Sequence, residues 1–281
     1  MNRFYLVDKP IITSFDVIRQ LRRKLGIKKM HTGTLDPLAT GMLFVATGNY
    51  TKLIPFFEKD VKTYTVKIAL NGVTDSYDCE TPINFLPKEK QNFFSQTLKF
   101  EDIQIMLEQA FLGTFFQLPP AYSAVKIDGK KALELVRAGK NVEMKPRSVT
   151  IFSCQILSYE YPSLELEVTV SAGTYIRSLA HDLQKLGTGY VTELRRTKIG
   201  NIDSQYAQNL EDFDEKNIVP LEHVLPHDMC IKLSEEEKKE LDFRKISAHG
   251  VYEEKKYFVV QGENCTHVVK YEAEFIPERK I

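Results

Sequence analysis

His31-Thr32-Gly33-Thr34-Leu35-Asp36-Pro37-Leu38-Ala39-Thr40-Gly41 holds two glycines, one proline and three threonines. Such a span suits neither a helix interior nor a central strand, so it reads as a loop with a tightly specified backbone. Its one carboxylate, Asp36, lies between Leu35 and Pro37. Apolar neighbours imply partial burial, a cost that a nearby cation offsets. Just upstream run Arg19, Arg22, Arg23, Lys24, Lys28 and Lys29, with only Asp16 close by to balance them. A carboxylate on a rigid loop behind a cationic approach suits a chemical site for an anionic polymer. A surface turn beside a solvated basic helix face accounts for the same residues, and spacing alone does not separate the two readings.

Outward from this loop the chain reads as mixed α and β. On its N-terminal side, Phe4 to Val7 is a short strand ended by Asp8-Lys9-Pro10. A helix capped by Thr13 or Ser14 carries Phe15, Val17, Ile18, Leu21 and Leu25 on one face and stops at Gly26. On its C-terminal side, Met42 to Ala46 is apolar and short enough for a buried strand. Lys62 to Leu70 alternates, with Tyr64, Val66, Ile68 and Leu70 on one face. Ile103 to Phe111 has helical spacing and is stopped by Gly113. Pro119-Pro120 opens an extended segment, and a second helix is expected over Lys130 to Ala138. Val149 to Leu157 and Leu164 to Ser171 read as strands. After Gly173 comes a helix with Ile176, Leu179, Ala180, Leu183 and Leu186 in register. Leu210 to Leu225 reads as a polar helix, and Ser234 to Phe243 as a charged one. Strands are expected at Tyr257 to Val260 and His267 to Phe275. Without regular βαβ alternation, the class is α+β, a mixed or antiparallel central sheet flanked by helices, with a small β-rich C-terminal module from about Asp228.

Composition narrows the chemistry. The 281 residues are 43% hydrophobic and carry a formal net charge of +0, so any nucleic-acid surface is local rather than global. Cys79, Cys154, Cys230 and Cys265 are far apart and form no metal-spaced cluster with the histidines, which argues against a zinc site and suits a reducing, cytoplasmic setting. No signal peptide, membrane span, repeat or low-complexity segment is expected. Walker, Gly-x-Gly-x-x-Gly, Gly-x-Ser-x-Gly and His-Glu-x-x-His motifs are absent. An enzyme of this sequence is therefore expected to work without a cofactor or metal. Asp36 then acts alone or with a cation, as nucleophile, base or electrostatic stabiliser. Arg177, at the first turn of an apolar helix, suits that cation, but equally a solvent-facing helix position. Tyr64 equally suits a core position with a bonded hydroxyl.

Taken together, the motifs resemble one family. His31 to Leu43 resembles the catalytic motif of the TruB family, the tRNA pseudouridine synthases that modify uridine 55 in the TΨC arm. The other matches come in the family's order: Asp8-Lys9-Pro10, Lys62-Thr63-Tyr64, Thr74-Asp75-Ser76-Tyr77-Asp78, Pro119 to Lys126 with Gly129 to Ala132, Gly173-Thr174-Tyr175-Ile176-Arg177, and Leu194-Arg195-Arg196. The resemblance covers about Tyr5 to Leu225. Ile11-Ile12-Thr13 stands where the family usually has a glycine, and Ala172 where some members have a lysine.

What the resemblance implies is specific. The fold is the pseudouridine synthase fold, with a catalytic domain over 1–227 that includes an RNA-clasping thumb loop at about 119–148. Residues 228–281 form a reduced PUA-like RNA-binding module, although no motif there fixes it. Asp36 matches the essential aspartate, Tyr64 the residue stacked on the target base and Arg177 the arginine paired with the carboxylate. Tyr175 and Leu194 match base-pocket positions, and His31 a histidine that holds the target loop open. Lys9 and Lys126 are expected to touch substrate, and Arg22, Arg23, Lys28 and Lys29 the RNA backbone. The partner is the TΨC stem-loop of tRNA, bound by a monomer with no obligate protein partner. Uracil must leave C1′ through N1, turn and rejoin through C5. Asp36 can assist by attack on C6, attack on C1′ or deprotonation at C2′. A tRNA-binding folding chaperone and the catalytic subunit of a guide-RNA pseudouridylation particle are the alternatives.

Overall fold

The computed structural model describes residues 2–54, 61–183 and 189–224, and in the C-terminal part residues 230–231, 257–261, 266–271 and 275–280. Strand β1 (Phe4–Lys9) leads to helix α1 (Ser14–Leu25), then β2 (Met30–Thr32), β3 (Thr40–Thr47) and β4 (Lys62–Ala69). A short pair, β5 (Gly72–Val73) with β6 (Asn84–Phe85), precedes helices α2 (Lys88–Thr97) and α3 (Phe100–Phe111). Next come β7 (Gly113–Gln117), the hairpin β8 (Lys126–Ile127) and β9 (Lys130–Lys131), and α4 (Ala132–Arg137). The long antiparallel pair β10 (Arg147–Glu160) and β11 (Ser163–Val170) is followed by α5 (Ile176–Asp182), β12 (Tyr190–Ile199), β13 (Ala207–Asn209) and α6 (Leu221–Val224).

Nine of these strands make one mixed sheet in the order β13-β1-β3-β12-β4-β11-β10-β7, with β2 paired to β3. The β1–β13 and β3–β12 contacts are parallel and the others antiparallel. β1 and β3 are apolar at nearly every position because both of their faces are covered. Tyr5, Val7, Leu43 and Val45 join the larger core with α1, α3 and α5, while Phe4, Leu6, Met42 and Phe44 join a second core with Leu53, Ile199 and Val224. β4 and β11 alternate, as half-buried strands do. The C-terminal strands β14 (Cys230–Ile231), β15 (Tyr257–Gln261), β16 (Thr266–Tyr271) and β17 (Phe275–Lys280) form a separate four-stranded sheet.

α1 starts where the sequence places it. The Thr13 hydroxyl accepts from the Asp16 amide at 3.0 Å, and Gly26 closes the helix in the left-handed region at φ 66°. Phe15, expected on the buried face, is instead 66% exposed. The buried stripe is Ser14, Val17, Ile18 and Leu21, and Phe15 lies one residue, about 100°, away from it. Other expectations also change. The helix expected over Lys130 to Ala138 is shorter, because Asp128 and Gly129 both take positive φ and turn a hairpin first. Leu210 to Leu225 is helical only at Leu221–Val224. Before that, Asp214 caps a turn at the Lys216 amide, and Phe213 packs edge-on against Tyr5. His267 to Phe275 divides between β16 and β17, and residues 272–274 lie outside the described residues. So do Leu186 and the helix expected over Ser234 to Phe243. β7, α2 and β12 were not anticipated.

Candidate active site

Asp36 sits in the loop between β2 and β3, and three groups immobilise that loop. The Leu35 amide donates to the Ser14 hydroxyl at 3.0 Å, and the same hydroxyl donates to the Leu35 carbonyl at 3.1 Å. The Ala39 amide donates to the Asp36 carbonyl at 3.1 Å. Lys9 threads its ammonium group beneath the loop and donates to the carbonyls of Pro10, Ile12, Pro37 and Ala39. This corrects the expectation that Lys9 touches substrate. Lys9 is 0% exposed, and its ammonium spends its donors on loop carbonyls. Burial pushes its pKa down from 10.5 to about 8, against the upward pull of the Asp36 carboxylate and with the Arg196 charge adding to the fall. At the far end of the loop Gly41 adopts φ 94°, and a Cβ there would lie 2.3 Å from the Arg196 carbonyl on the adjoining strand. Only glycine fits that parallel contact. Gly33, in contrast, has no heavy atom within 4 Å of a built Cβ.

Arg177, in the first turn of α5, reaches across to this loop. Its Nε donates to Asp36 Oδ2 at 2.7 Å and its Nη2 to Asp36 Oδ1 at 2.9 Å, a bidentate fork. The remaining donors are also engaged. Nη1 donates to the Ser76 carbonyl and Nη2 to the Tyr122 carbonyl, each at 3.0 Å. Asp78 Oδ2 lies 3.3 Å from Nη1 as an ion-pair contact, although the alignment is not that of a hydrogen bond. Asp78 is held in turn by the Ser76 hydroxyl at 2.6 Å and the Glu80 amide at 2.9 Å. Between Ser76 and Asp78, Tyr77 takes φ 64° and stacks its ring on His181 at 3.9 Å. That backbone turn lets one short segment present both a carbonyl and a carboxylate to the same guanidinium. The Arg177 side chain is 4% exposed and that of Asp36 is 32%, so the cation is enclosed while the carboxylate stays open to a ligand.

Asp36 opens into a cavity of about 330 Å³. Tyr64, Tyr175 and Leu194 line it, as do the apolar side chains of Phe44, Ile54 and Ile199. The structure thus brings Asp36, Tyr64, Tyr175 and Leu194 together, with Arg177 holding the carboxylate from behind. Tyr175 is placed by Gln117, whose amide accepts from the Tyr175 N–H at 2.8 Å and donates to its carbonyl at 3.1 Å. Lys126 is exposed in the β8–β9 hairpin and does not line the cavity. Arg22, Arg23, Lys28 and Lys29 are exposed on and just after α1, likewise outside the cavity, whereas Lys24 donates to the Leu210 and Glu211 carbonyls. His31 lies in β2 opposite Ala46, and its side chain is outside the described residues. Asp78 and Arg196, for which the sequence suggested no individual role, both belong to this site. The one signal for Arg196 was its two-residue spacing from Leu194, which puts both on one face of a strand.

The site lies at the sheet positions where β3, β12 and β4 meet, and similar architectures are known. The chain has the pseudouridine synthase fold. It superposes on a chain from a crystal structure of a Cbf5-Nop10-Gar1 complex with a TM-score of 0.68 and 21% identity, covering 99% of this chain and 84% of that one. A structure of an H/ACA RNP bound to a substrate RNA containing 2'-deoxyuridine matches with a TM-score of 0.66 and 21% identity, covering 95% and 77%. In sequence, residues 22–176 match the N-terminal domain of the TruB family of pseudouridylate synthases. The tRNA pseudouridine synthase B of Clostridium tetani is 39% identical over 264 residues, covering 89% of this chain and 85% of that protein. The Aquifex aeolicus protein of the same name is 38% identical, covering 83% and 80%. The chain belongs to the TruB family.

Proposed function

We propose that this protein isomerises uridine to pseudouridine at position 55 in the TΨC loop of tRNA, without a cofactor. The observation that carries the reading is the bidentate Asp36–Arg177 pair beside a cavity lined by Tyr64, Tyr175 and Leu194. A uridine stacked in a folded stem-loop cannot enter the cavity beside Asp36 unless it leaves the stack. The volume suits a single flipped base, the Tyr64 ring offers it a stacking surface, and Asp36 stands ready at the sugar or at C6. Arg177 fixes both carboxylate oxygens and so sets the angle of attack. Tyr64 or Asp36 takes the proton from C5 at the end.

The RNA approaches over two cationic surfaces. One carries Arg22, Arg23, Lys28 and Lys29. The other is the thumb at 119–148, where Lys126 stands and seven basic residues face three acidic ones. His31 helps to keep the target loop open, and residues 228–281 act as a reduced PUA-like RNA-binding module beside the catalytic domain at 1–227. Among the described residues no helix is long and apolar enough to cross a membrane. We assign the protein to the cytoplasm, as a monomer that needs no partner protein.

The test is to map pseudouridine in tRNA incubated with the purified chain alone, beside Asp36→Asn. The wild type is expected to modify position 55. Asp36→Asn is expected to bind tRNA as before and to lose at least about 10⁴-fold in rate. Substantial activity in that variant, or a wild type that needs an added guide RNA, overturns the reading.

A further inference from the structure

The cavity contains a second guanidinium, with surroundings unlike those of Arg177. Arg196 lines the cavity and is 3% exposed. It stands directly across from Tyr64 in the β12–β4 ladder. Its Nε donates to the Met42 carbonyl at 2.7 Å. The two terminal amino groups have no hydrogen-bond partner among the described residues, and no carboxylate there pairs with this charge. Four N–H donors on a permanently charged group are thus unspent in an apolar setting that includes Phe44, Leu194 and Ile199. Leaving a buried charge unpaired costs stability. Structure alone gives no return for that cost, whereas an anionic oxygen entering the cavity does.

Resting on the reading of the site as a pseudouridine synthase, we propose that Arg196 is a catalytic residue that binds a carbonyl oxygen of the flipped uracil and stabilises the negative charge that collects on the ring. Each chemical route open to Asp36 generates such a charge. If the C1′–N1 bond breaks first, its electron pair stays with uracil and spreads over N1, O2 and O4. C5 then bonds to C1′, which gives up any bond to Asp36, and the C5 proton passes to a base while N1 takes up a proton, which leaves a neutral product. If an Asp36 oxygen first adds to C6, the C5=C6 pair moves through C4 to O4. The need for a donor is therefore independent of the route, and a preorganised cation lining the cavity meets it with little reorganisation. A phosphate is the other anionic group that the nucleotide brings. Arg196 stands across from Tyr64 and beside Leu194 and Ile199, neighbours that suit a base edge, while Lys62 in the same lining is a second cation for a phosphate.

The experiment uses the full chain and a TΨC stem-loop RNA, with single-turnover rates at saturating enzyme and RNA Kd measured across a salt series. Arg196→Met and Arg196→Gln are expected to lower the rate about 10²- to 10³-fold. Kd should stay within about threefold and its salt slope should not change. Arg196→Lys, which restores a charge without the fork, should recover part of the rate. Arg196→Gln keeps a donor for the Met42 carbonyl, so it gives a folded neutral variant if Arg196→Met does not fold. A rate within about threefold of wild type in Arg196→Gln overturns the proposal. So does a loss confined to Kd with the salt slope lowered by about one, which marks a phosphate contact. A wild type that makes no pseudouridine in the same assay overturns the functional reading itself, and the proposal with it.

Discussion

Two loop-rich regions, the Asp36 loop at 31–41 and the segment at 119–148 proposed as the thumb, read alike in sequence and are built in opposite ways. The Asp36 loop is tied at Leu35, Asp36, Pro37 and Ala39 by hydrogen bonds, and at Gly41 by a backbone contact that leaves no room for a side chain. The thumb is tied at its root. The Leu118 carbonyl accepts from Ser178, the Tyr122 carbonyl from Arg177, and the Ala132 and Leu133 amides donate to the Val125 and Ser123 carbonyls. Beyond that root it is mostly exposed and basic. A group that does chemistry needs a fixed position, and a group that embraces a large, variable polyanion needs reach. The Tyr122 carbonyl joins the two regions, because the arginine that holds Asp36 also holds the thumb root.

If this division is right, damage in the first region should appear in the rate, and damage in the second in binding. After Asp36→Asn, the largest effect is expected from Arg177→Lys. It keeps a charge but loses the fork on Asp36 and the donors to Ser76 and Tyr122, and the single-turnover rate should fall about 10²- to 10³-fold. Unaltered turnover would break the comparison at its centre. Next is Gly41→Ala, which puts a methyl group against the Arg196 carbonyl at positive φ. It should destabilise the protein by about 2–4 kcal/mol, seen as a lower midpoint in urea, while Gly33→Ala should cost less than about 1 kcal/mol.

Lys9 gives a pH test. Its pKa is about 8 in the folded protein and 10.5 when unperturbed, so between these values the unfolded chain binds more protons than the folded one. The Lys9 contribution to stability therefore rises with pH across that window. Activity should move the other way, because a neutral amine has fewer donors for the loop carbonyls. We expect an alkaline limb near pH 8 in the wild-type rate profile, absent from Lys9→Met. The smallest effects belong to the cationic surfaces. Lys126→Glu and the pair Arg22→Glu with Arg23→Glu should each raise KM or Kd a few-fold and flatten the salt dependence, with kcat held. A fall in kcat without a change in Kd would show that the thumb or α1 acts in chemistry after all.

Much of the fold was legible because local rules govern it. The Thr13 cap, the αL stop at Gly26, the alternation of β4 and the double-sided burial of β3 all follow from short-range patterns. β12 was harder, since its ladder contains Glu193, Arg195, Arg196 and Lys198, whose places are set by neighbours on two other strands. The site divides in the same way. Asp36 is marked by its loop, whereas its partner Arg177 lies 141 residues away and only the ordered motifs pointed to it. Lys9 was expected at the substrate from the resemblance, which says nothing of its burial. Its burial depends on four carbonyls brought beneath it by a loop fold that no local pattern encodes.

The strand order has a consequence for how the protein is made. β12 lies between β3 and β4, so these two strands are joined into one sheet only when Tyr190–Ile199 inserts between them. A chain emerging from the ribosome holds Asp36 early, but it has neither Arg177 nor the wedge that closes the sheet. Until β12 arrives, β4 presents an unpaired edge and β3 lacks its partner at Thr40 and Gly41, with the apolar faces beside them uncovered. Folding is therefore expected to be late and all-or-none across this seam, with the catalytic cavity assembled in the same event that seals the sheet.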